Sequence, residues 1–254
     1  MTTSFTSDDF KKLVAFPFQD ADWKNKFLIG SLVLLAGYLL LIPIALIYGY
    51  TFQIMRGIIV EKREPFMPAW DDWGKLFGDG FKLLGVYLVY SLPLLLFLCG
   101  SYVALFGLIA GRGVLAEASP DEPSPLVALV PVLGVFGWIA CLGLVFVFAL
   151  ALGLVMPAAL SHVVATNEFN AAFRFGEWWA IFRANLAGFV LAFVVVLAIS
   201  VAFNFAMQIL YLTIIGCCFI PFLLIFMGFY LLLVSNVIFA QAYRDGVEKL
   251  AWSG

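Results

Sequence analysis

The most informative pattern in this chain is the spacing of its charged residues, which leaves four long stretches without any Asp, Glu, Lys or Arg. These charge-free runs are Phe27–Met55, Leu83–Gly111, Pro123–Asn167 and Ala184–Tyr243. A membrane-spanning helix needs roughly 20 predominantly apolar residues, and each run exceeds that length. The runs are continuously apolar rather than alternating, so they predict helices instead of the strands of a membrane β-barrel.

The pattern predicts an all-α, polytopic transmembrane bundle with five spans. The predicted spans cover residues 27–60, 83–110, 126–164, 186–212 and 217–243. Pro43 predicts a kink in the first span. The third run is long for one span of about 20–25 residues, and a hairpin near Gly143 or Gly153 would raise the count to six. One long helix bent at Pro157 is favoured, because no polar turn interrupts the run. In the last run, breaker residues predict a turn at Gly216–Pro221.

The polar segments between the runs also carry aromatic residues. Residues 1–26 predict an amphipathic segment on the membrane surface, with Pro17 ending or bending its helix. Two more amphipathic interfacial helices are predicted at 70–82 and 168–183, with Asp71 or Asp72 capping the first. Residues 27–254 are then predicted to form a single transmembrane helical domain.

Composition supports this interpretation and excludes others. The hydrophobic fraction is 64% and the charged fraction 12%, against about 45–50% and 25% in soluble domains. The net charge of −2 includes no basic block that would indicate a nucleic-acid partner. The many charges of residues 1–26 and the length of the first run argue against a cleavable signal peptide. All cysteines lie inside apolar runs and are interpreted as small buried hydrophobes: Cys99, Cys141, Cys217 and Cys218.

Two short blocks suggest an internal repeat. Trp73–Phe77 reads WGKLF and Phe175–Trp179 reads FGEWW, and each follows one long apolar run and precedes another. The chain then consists of two copies of span, surface helix and span, with a fifth span appended, a kind of duplication common in transporters. Five spans place the termini on opposite sides, and the distribution of Lys and Arg favours the N-terminus outside. A sixth span would place both termini inside.

Several blocks resemble one known family. They are NKFLIG at 25–30, the Gly49-Tyr50 pair followed by Arg56, PAWDDWGKLFGDGFK at 68–82, FGEWWAIFRAN at 175–185 and AQAYRDG at 240–246. Together they resemble prokaryotic membrane proteins catalogued as domain of unknown function 4013, and the Trp-Asp-Asp-Trp-Gly block is the most specific part. The resemblance implies a bacterial or archaeal multi-span membrane protein, and it brings no catalytic residues.

Isolated polar residues in the apolar runs are candidate sites. His162 is the only histidine; it is interpreted as a polar residue at the membrane boundary, with ligation of a pigment or haem left open. Asn204 and Gln208 share a helix face. Amides of this kind either line a solute path or form hydrogen bonds between helices, and the second reading is favoured. The other amides in or near spans are Gln53, Asn236 and Gln241.

Three further patterns are interpreted structurally. The tryptophans of the boundary segments indicate an aromatic belt: Trp23, Trp70, Trp73, Trp178, Trp179 and Trp252. Small residues at four-residue spacing allow helices to approach closely: Ala149, Gly153 and Pro157; Ala184, Gly188 and Ala192; Ala198, Ala202 and Ala206; and Gly107 with Gly111. The acidic residues Asp71, Asp72 and Asp79 are interpreted as capping or solvated groups rather than as a cation site.

The sequence therefore favours a protein without catalysis, since no Asp, Glu, Lys or Arg lies in the interior of a predicted span and no known catalytic motif is present. We expect no catalytic residues, no cofactor and no metal. The leading hypothesis is an accessory or scaffold subunit of a larger assembly in the plasma membrane. Its expected partners are the lipid bilayer and other membrane chains or further copies of itself, without nucleic acid. The alternatives are a transporter or channel for an apolar or zwitterionic solute, lined by Asn204, Gln208 and Asn236, and a lipid-organising protein acting through its interfacial helices.

Overall fold

The protein is helical throughout the part that its computed structural model describes, residues 7–118 and 125–253. The side chains of residues 7–10, 112–118, 125–128, 130, 131, 214–218 and 253 lie outside that description. In chain order the described helices are α1 (Ser7–Ala15), α2 (Trp23–Leu40), α3 (Ile44–Ile59), α4 (Trp73–Ala118), α5 (Pro125–Thr166), α6 (Phe175–Ala184), α7 (Leu186–Tyr211) and α8 (Ile214–Ser253). Short 3-10 helices occupy Phe16–Phe18 and Phe169–Phe173.

The chain divides into two compact units. The larger unit holds the described residues up to Tyr87 together with those from Leu154 onward, and the smaller unit is Leu88–Gly153. The larger unit contains α1 to α3, α6 to α8 and one end each of α4 and α5. The smaller unit consists of the remaining parts of α4 and α5.

Four helices in the described ranges are long and apolar enough to cross a membrane: Trp73–Gly111, Val132–Thr166, Leu186–Tyr211 and Phe219–Trp252. Helices of this length and composition identify an integral membrane protein. The apolar helix α3 is shorter than these four. The predicted count of five or six spans is not confirmed.

The predicted first span, residues 27–60, is not one helix but the hairpin of α2 and α3. The indole N–H of Trp70 donates to the carbonyl oxygen of Lys26 at 3.0 Å, near the start of α2. The ring of Tyr50, in α3, stacks on the same indole with centroids 4.2 Å apart. A straight helix would separate residues 26 and 50 by about 36 Å. The chain therefore reverses direction between the two helices.

The reversal takes only the three residues Leu41, Ile42 and Pro43. Leu41 has φ 61°, and the Ile42 N–H donates to the Leu40 carbonyl oxygen at 2.7 Å, which is the geometry of a γ-turn. Pro43 disfavours a helical conformation in the residue before it and lacks an N–H of its own. The kink predicted from Pro43 is thus a complete turn, with Pro43 at the N-cap of α3.

Helix α4 begins at the predicted cap and continues far beyond the predicted interfacial helix. The Asp72 carboxylate accepts a hydrogen bond from the Lys75 N–H at 3.0 Å, which confirms the cap. From Trp73 the helix runs through the rest of the predicted interfacial helix 70–82 and through the predicted span 83–110 without the predicted boundary. Pro93 lies inside it, and proline is tolerated in membrane helices. No proline separates the amphipathic start from the apolar continuation.

Helix α5 matches the predicted third span, since it runs unbroken from Pro125 to Thr166. The alternative hairpin near Gly143 or Gly153 is absent from this helix. Asn167 ends it with φ 61°, a left-handed conformation that asparagine adopts more readily than most residues.

The predicted turn at Gly216–Pro221 is wrong. The turn consists of Leu212 and Thr213, and Pro221 lies inside α8. Pro221 therefore does not break the apolar helix α8. The turn instead contains the polar residue Thr213, and its hydroxyl donates to the Leu210 carbonyl oxygen at 2.9 Å. The predicted interfacial helix 168–183 is a 3-10 helix followed by α6.

The N-terminal segment packs part of its apolar side on protein, and its place on the membrane surface stays a prediction. Leu13 and Phe16 are buried. The Tyr230 hydroxyl of α8 donates to the Val14 carbonyl oxygen at 3.1 Å, and its ring stacks on Phe18. Helix α1 ends at Ala15, just before Pro17, as predicted. Residues 1–6 of the predicted segment lie outside the described residues.

Glycines set the spacing of the helices in the core of the larger unit. A Cβ at Gly49 would collide with the Leu76 carbonyl oxygen, and one at Gly80 with the Ala45 carbonyl oxygen. Helices α3 and α4 therefore cross with their backbones in contact. Together with packing against α2 and α8, this crossing leaves no residue of α3 exposed, and Ile47, Phe52 and Ile58 are at most 2% exposed.

Candidate functional site

His162 is the centre of a polar cluster inside the larger unit. The imidazole is buried; its Nδ1 lies 2.7 Å from the Tyr243 hydroxyl and its Nε2 lies 3.0 Å from Glu177 Oε2. An ionised carboxylate only accepts hydrogen bonds, so Nε2 carries a proton and donates to Glu177. In the neutral ring, Nδ1 then accepts from the Tyr243 hydroxyl. The histidine joins α5, α6 and α8.

Glu177 connects this buried cluster to solvent, because its side chain is 53% exposed. Arg174 lies beside it, with Nη1 3.9 Å from Glu177 Oε2, and also pairs with Glu168. Surface pairs of this kind contribute little stability individually. Their effect is to orient the carboxylate that contacts His162.

A cavity of about 300 Å³ lies next to the cluster, and Tyr243 is a member of both. Its apolar lining comes from the ends of α3 and α5 and from α6 and α8: Ile59, Val60, Ala165, Ile181 and Val247. Its charged lining consists of Lys62, Arg244 and Glu248. Ligand pockets have volumes of about 300–1,000 Å³ and combine apolar walls with few polar groups, so this cavity is of the size of a small binding site.

The charges of the cavity are incompletely paired. Lys62 Nζ lies 3.9 Å from Glu248 Oε1, and both side chains are more than half exposed. The half-buried Arg244 side chain makes no hydrogen bond or ion pair with another described residue. The lining therefore offers two cations and one carboxylate beside an apolar wall. A molecule with an anionic and a cationic group on an apolar body would complement this lining.

Asn185 fixes α6 against α8 and so shapes one wall. Its amide N–H donates to the Ala242 carbonyl oxygen at 2.8 Å, and its Oδ1 accepts from Lys249 Nζ at 2.6 Å. Gly246 permits the contact, because a Cβ there would lie 2.8 Å from the Ile181 carbonyl oxygen.

The amides selected from the sequence do not form a common path. Asn204 Nδ2 donates to Ser200 and Asn236 Nδ2 to Leu232, each within its own helix, so neither donor makes the predicted interhelical bond. Helices α7 and α8 are joined by a two-residue turn and pack side by side. Asn204 lies close to that turn and Asn236 far from it, about 20 Å further along the pair.

Other predicted residues have mainly structural positions. Trp178 is buried and its indole N–H donates to the Ala172 carbonyl oxygen at 3.0 Å. Asp79 pairs with Lys82 at 3.0 Å. Cys99 is exposed and Cys141 partly exposed, so burial was a wrong prediction for Cys99. The side chains of Cys217 and Cys218 lie outside the described residues. No group of three metal-ligating side chains occurs in the described ranges.

His162 was conspicuous in the sequence, whereas its partners and the cavity were not predicted. Tyr243 and Arg244 belong to the AQAYRDG block, and Glu177 and Asn185 belong to FGEWWAIFRAN. These blocks contributed to the resemblance, yet their residues were not assigned to a common site. The signal that could have found them is a charged or hydroxyl residue recurring at the polar end of each apolar run.

Comparison with known proteins gives one match. No curated protein and no solved structure matches the chain significantly. A family model described as protein of unknown function (DUF4013) matches residues 32–212. The matched region includes the PAWDDWGKLFGDGFK and FGEWWAIFRAN blocks, whereas NKFLIG and AQAYRDG lie outside it. The match covers more than half of the sequence, and the chain therefore belongs to the DUF4013 family.

Proposed function

We propose that this protein is a non-enzymatic integral membrane protein of the plasma membrane that binds and organises phospholipid at one face of the bilayer. The observation that carries the proposal is the cavity beside Tyr243, in which an apolar wall meets the charged side chains of Lys62, Arg244 and Glu248. Each lining residue belongs to the polar end of the larger unit, where apolar helices give way to charged segments.

A zwitterionic phospholipid matches this lining by its chemistry. Its phosphate would accept hydrogen bonds from Arg244 and Lys62, and charge-assisted bonds to phosphate are among the stronger ones in proteins. Its ammonium group would contact Glu248, and the adjoining acyl chain would lie on Ile59, Ile181 and Val247. The lipid phosphate would give Arg244, which lies near the Asp245 carboxylate without a hydrogen bond to it, a hydrogen-bonded anionic partner.

The test is retention of phospholipid by protein purified in mild detergent, measured by native mass spectrometry. Arg244→Gln should reduce the fraction of lipid-bound protein several-fold. The matched control is Arg183→Gln, on the exposed face of α6 and outside the cavity lining, which should retain lipid like the unmodified protein. Equal retention by both variants, or an absence of bound lipid in the unmodified protein, would reject the proposal.

An accessory-subunit role is a second candidate, supported by the smaller unit. Cβ atoms added at Gly100, Gly107, Gly137 or Gly143 would meet nothing within 4 Å, so these helix surfaces are open to a close approach by other helices. Gly107→Leu should then release a co-purifying membrane chain, or dissociate a self-assembly, during native-detergent purification. A protein that purifies alone as a monomer before any substitution would exclude this role.

The transporter alternative receives less support. Asn204 and Asn236 lie far apart along α7 and α8, and each amide is bonded to its own helix. A solute path would need these polar groups to face one another.

A further inference from the structure

We propose that the hairpin of α2 and α3 inserts its apolar tip into the hydrocarbon of the bilayer and returns to the face from which it entered. Its partner is the lipid acyl chains, and it does not cross the membrane. This inference is independent of the lipid-binding cavity, because it depends on the hairpin alone.

The surface of the hairpin is apolar where protein does not cover it. The four residues of the tip are all 65% exposed or more: Leu39, Leu40, Leu41 and Ile42. Leu28, Leu32 and Leu35 continue this exposed surface along one face of α2. No charged residue occurs between Phe27 and Met55. A surface of this extent and composition is typical of contact with lipid or protein rather than water.

The backbone of the tip is suited to hydrocarbon. Unpaired N–H groups exclude most turns from the interior of a bilayer. Here every N–H from Leu41 to Leu46 donates to a carbonyl oxygen of the chain, and Pro43 has no N–H. The donor–acceptor pairs are Leu41 to Gly37, Ile42 to Leu40, Ile44 to Leu41, Ala45 to Ile42 and Leu46 to Pro43, at 2.7 to 3.1 Å. The turn therefore enters lipid without leaving a donor unsatisfied.

The helices of the hairpin are short for spans, and the hairpin is charged at its open end. Helices α2 and α3 contain 18 and 16 residues, or about 27 and 24 Å, against a hydrocarbon thickness of about 30 Å. Lys24 and Lys26 lie at the start of α2, and Lys62 and Arg63 follow α3. Lys26, near the start of α2, and Tyr50, midway along α3, both reach the indole of Trp70, so the two arms lie on the same side of the tip.

The hairpin also packs on a helix that is long enough to span. Phe27 stacks on Phe226 with ring centroids 6.1 Å apart, and Gly30 lies directly against the Phe229 ring. These phenylalanines belong to the charge-free part of α8, whose neighbouring Phe222 is 62% exposed. The exposed face of α2 is thus continuous with the exposed apolar surface of α8, a helix long and apolar enough to cross a membrane.

A hairpin that does not cross leaves four crossings, and an even number places both ends of the chain on one face. The polar segments before α2, between α3 and α4, after α5 and at the end of α8 all share that face. Together with the adjoining helix ends, which hold Lys24 and Lys26 of α2, Arg56 of α3 and Lys75 and Lys82 of α4, they contain every lysine and arginine of the chain except Arg112. The positive-inside rule assigns this face to the cytoplasm. The orientation expected from five spans, with the N-terminus outside, is replaced.

The test is labelling with a membrane-impermeant maleimide in sealed vesicles of both orientations, after replacing the four native cysteines. Asn25→Cys, in the first turn of α2, and Glu64→Cys, after α3, report on the open end of the hairpin without removing a basic residue. Both should be labelled in inverted vesicles only. Leu212→Cys, in the exposed turn between α7 and α8, should be labelled in right-side-out vesicles only.

Labelling of the Asn25→Cys and Glu64→Cys variants from opposite faces would overturn the proposal, because the hairpin would then be a span. Leu40→Cys tests contact with lipid. It should resist the aqueous maleimide from both faces. After this cysteine has reacted with a spin label in detergent, the EPR lines of the label should be broadened by oxygen, which dissolves in hydrocarbon, and not by a water-soluble relaxation agent. Rapid aqueous labelling of this variant would also refute lipid contact.

Discussion

The larger unit contains two helical hairpins that look alike in sequence and differ in structure. Helices α2 and α3 are joined by Leu41–Pro43, and helices α7 and α8 by Leu212–Thr213. Both turns are exposed, and both are flanked by apolar residues. The first pair contains 18 and 16 residues, whereas the second contains 26 and 40.

The difference shows that absence of charge predicts contact with lipid, while helix length and turn chemistry determine whether a helix crosses. The first turn has no polar side chain and contains Leu41 with φ 61°. The second has an ordinary right-handed conformation at Leu212 and a hydroxyl at Thr213. A polar turn suits the headgroup region, and an apolar, fully hydrogen-bonded turn suits hydrocarbon.

The largest expected effect comes from separating the first hairpin from α4. Gly49→Ala should lower the free energy of unfolding by about 3 kcal/mol or more, because the new Cβ meets the backbone of Leu76, which cannot move aside. Denaturant titration in detergent micelles measures this loss. In Gly78→Ala, the matched control, the Cβ meets nothing within 4 Å, and helix propensity predicts a gain of up to about 1 kcal/mol. Similar losses in both variants would contradict the crossing.

The second prediction compares the two tips directly. Ile42→Lys should destabilise the protein in bilayers by about 2.5–3.5 kcal/mol, because the ammonium group enters hydrocarbon. Leu212→Lys should have a much smaller effect, since its side chain reaches water from the opposite turn. Ile42→Ala controls for loss of the isoleucine side chain. Unfolding in lipid nanodiscs measures all three, and equal effects of the two lysines would remove the distinction between the tips.

The third prediction concerns the indole that closes the first hairpin. Trp70→Phe removes the hydrogen bond to the Lys26 carbonyl oxygen and should cost about 0.5–1.5 kcal/mol, the usual contribution of one hydrogen bond. The melting temperature in detergent should fall accordingly. Trp252→Phe is a suitable control, because Trp252 is 90% exposed. An unchanged melting temperature for Trp70→Phe would show that the indole does not stabilise the hairpin.

The smallest effect should appear at acid pH. The hydrogen bond from Lys26 Nζ, 2.7 Å from Asp20 Oδ2, lowers the pKa of Asp20 from its ordinary value of 3.8. A lowered pKa in the folded state stabilises the protein above pH 3.8, and this contribution disappears as the pH falls through the folded-state value. The stability difference between the unmodified protein and Asp20→Asn should therefore shrink below pH 3.8. A difference that stays constant with pH would contradict this assignment.

Local chemistry made several elements predictable from sequence. The Asp72 cap, the end of α1 before Pro17 and the length of α5 follow from the residues at those positions. The turn after α7 was misplaced because Pro221 is tolerated inside an apolar helix, whose neighbours can satisfy the carbonyl that proline leaves free. The internal repeat stays a prediction. Trp73 and Phe175 both begin helices, but α4 continues into a span whereas α6 ends before Asn185.

The candidate site was only partly predictable. His162 was conspicuous as the only histidine, whereas Tyr243 and Glu177 became relevant only because α6 and α8 bring them to its two ring nitrogens. The cavity combines residues from four separate helices and the segments that follow them. No spacing along one helix could indicate it.

The sequence by itself determined that the chain is helical and embedded in lipid, because uninterrupted apolar runs leave no other way to satisfy the backbone. Tertiary structure decided that the charge-free run Phe27–Met55 forms a hairpin and not one continuous helix. The direction of a charge-free segment depends on contacts between distant residues, and the indole of Trp70 holds both arms of the first hairpin on one side of its tip. Hydrophobicity is a property of each residue, whereas a reversal of the chain is set by which residues meet.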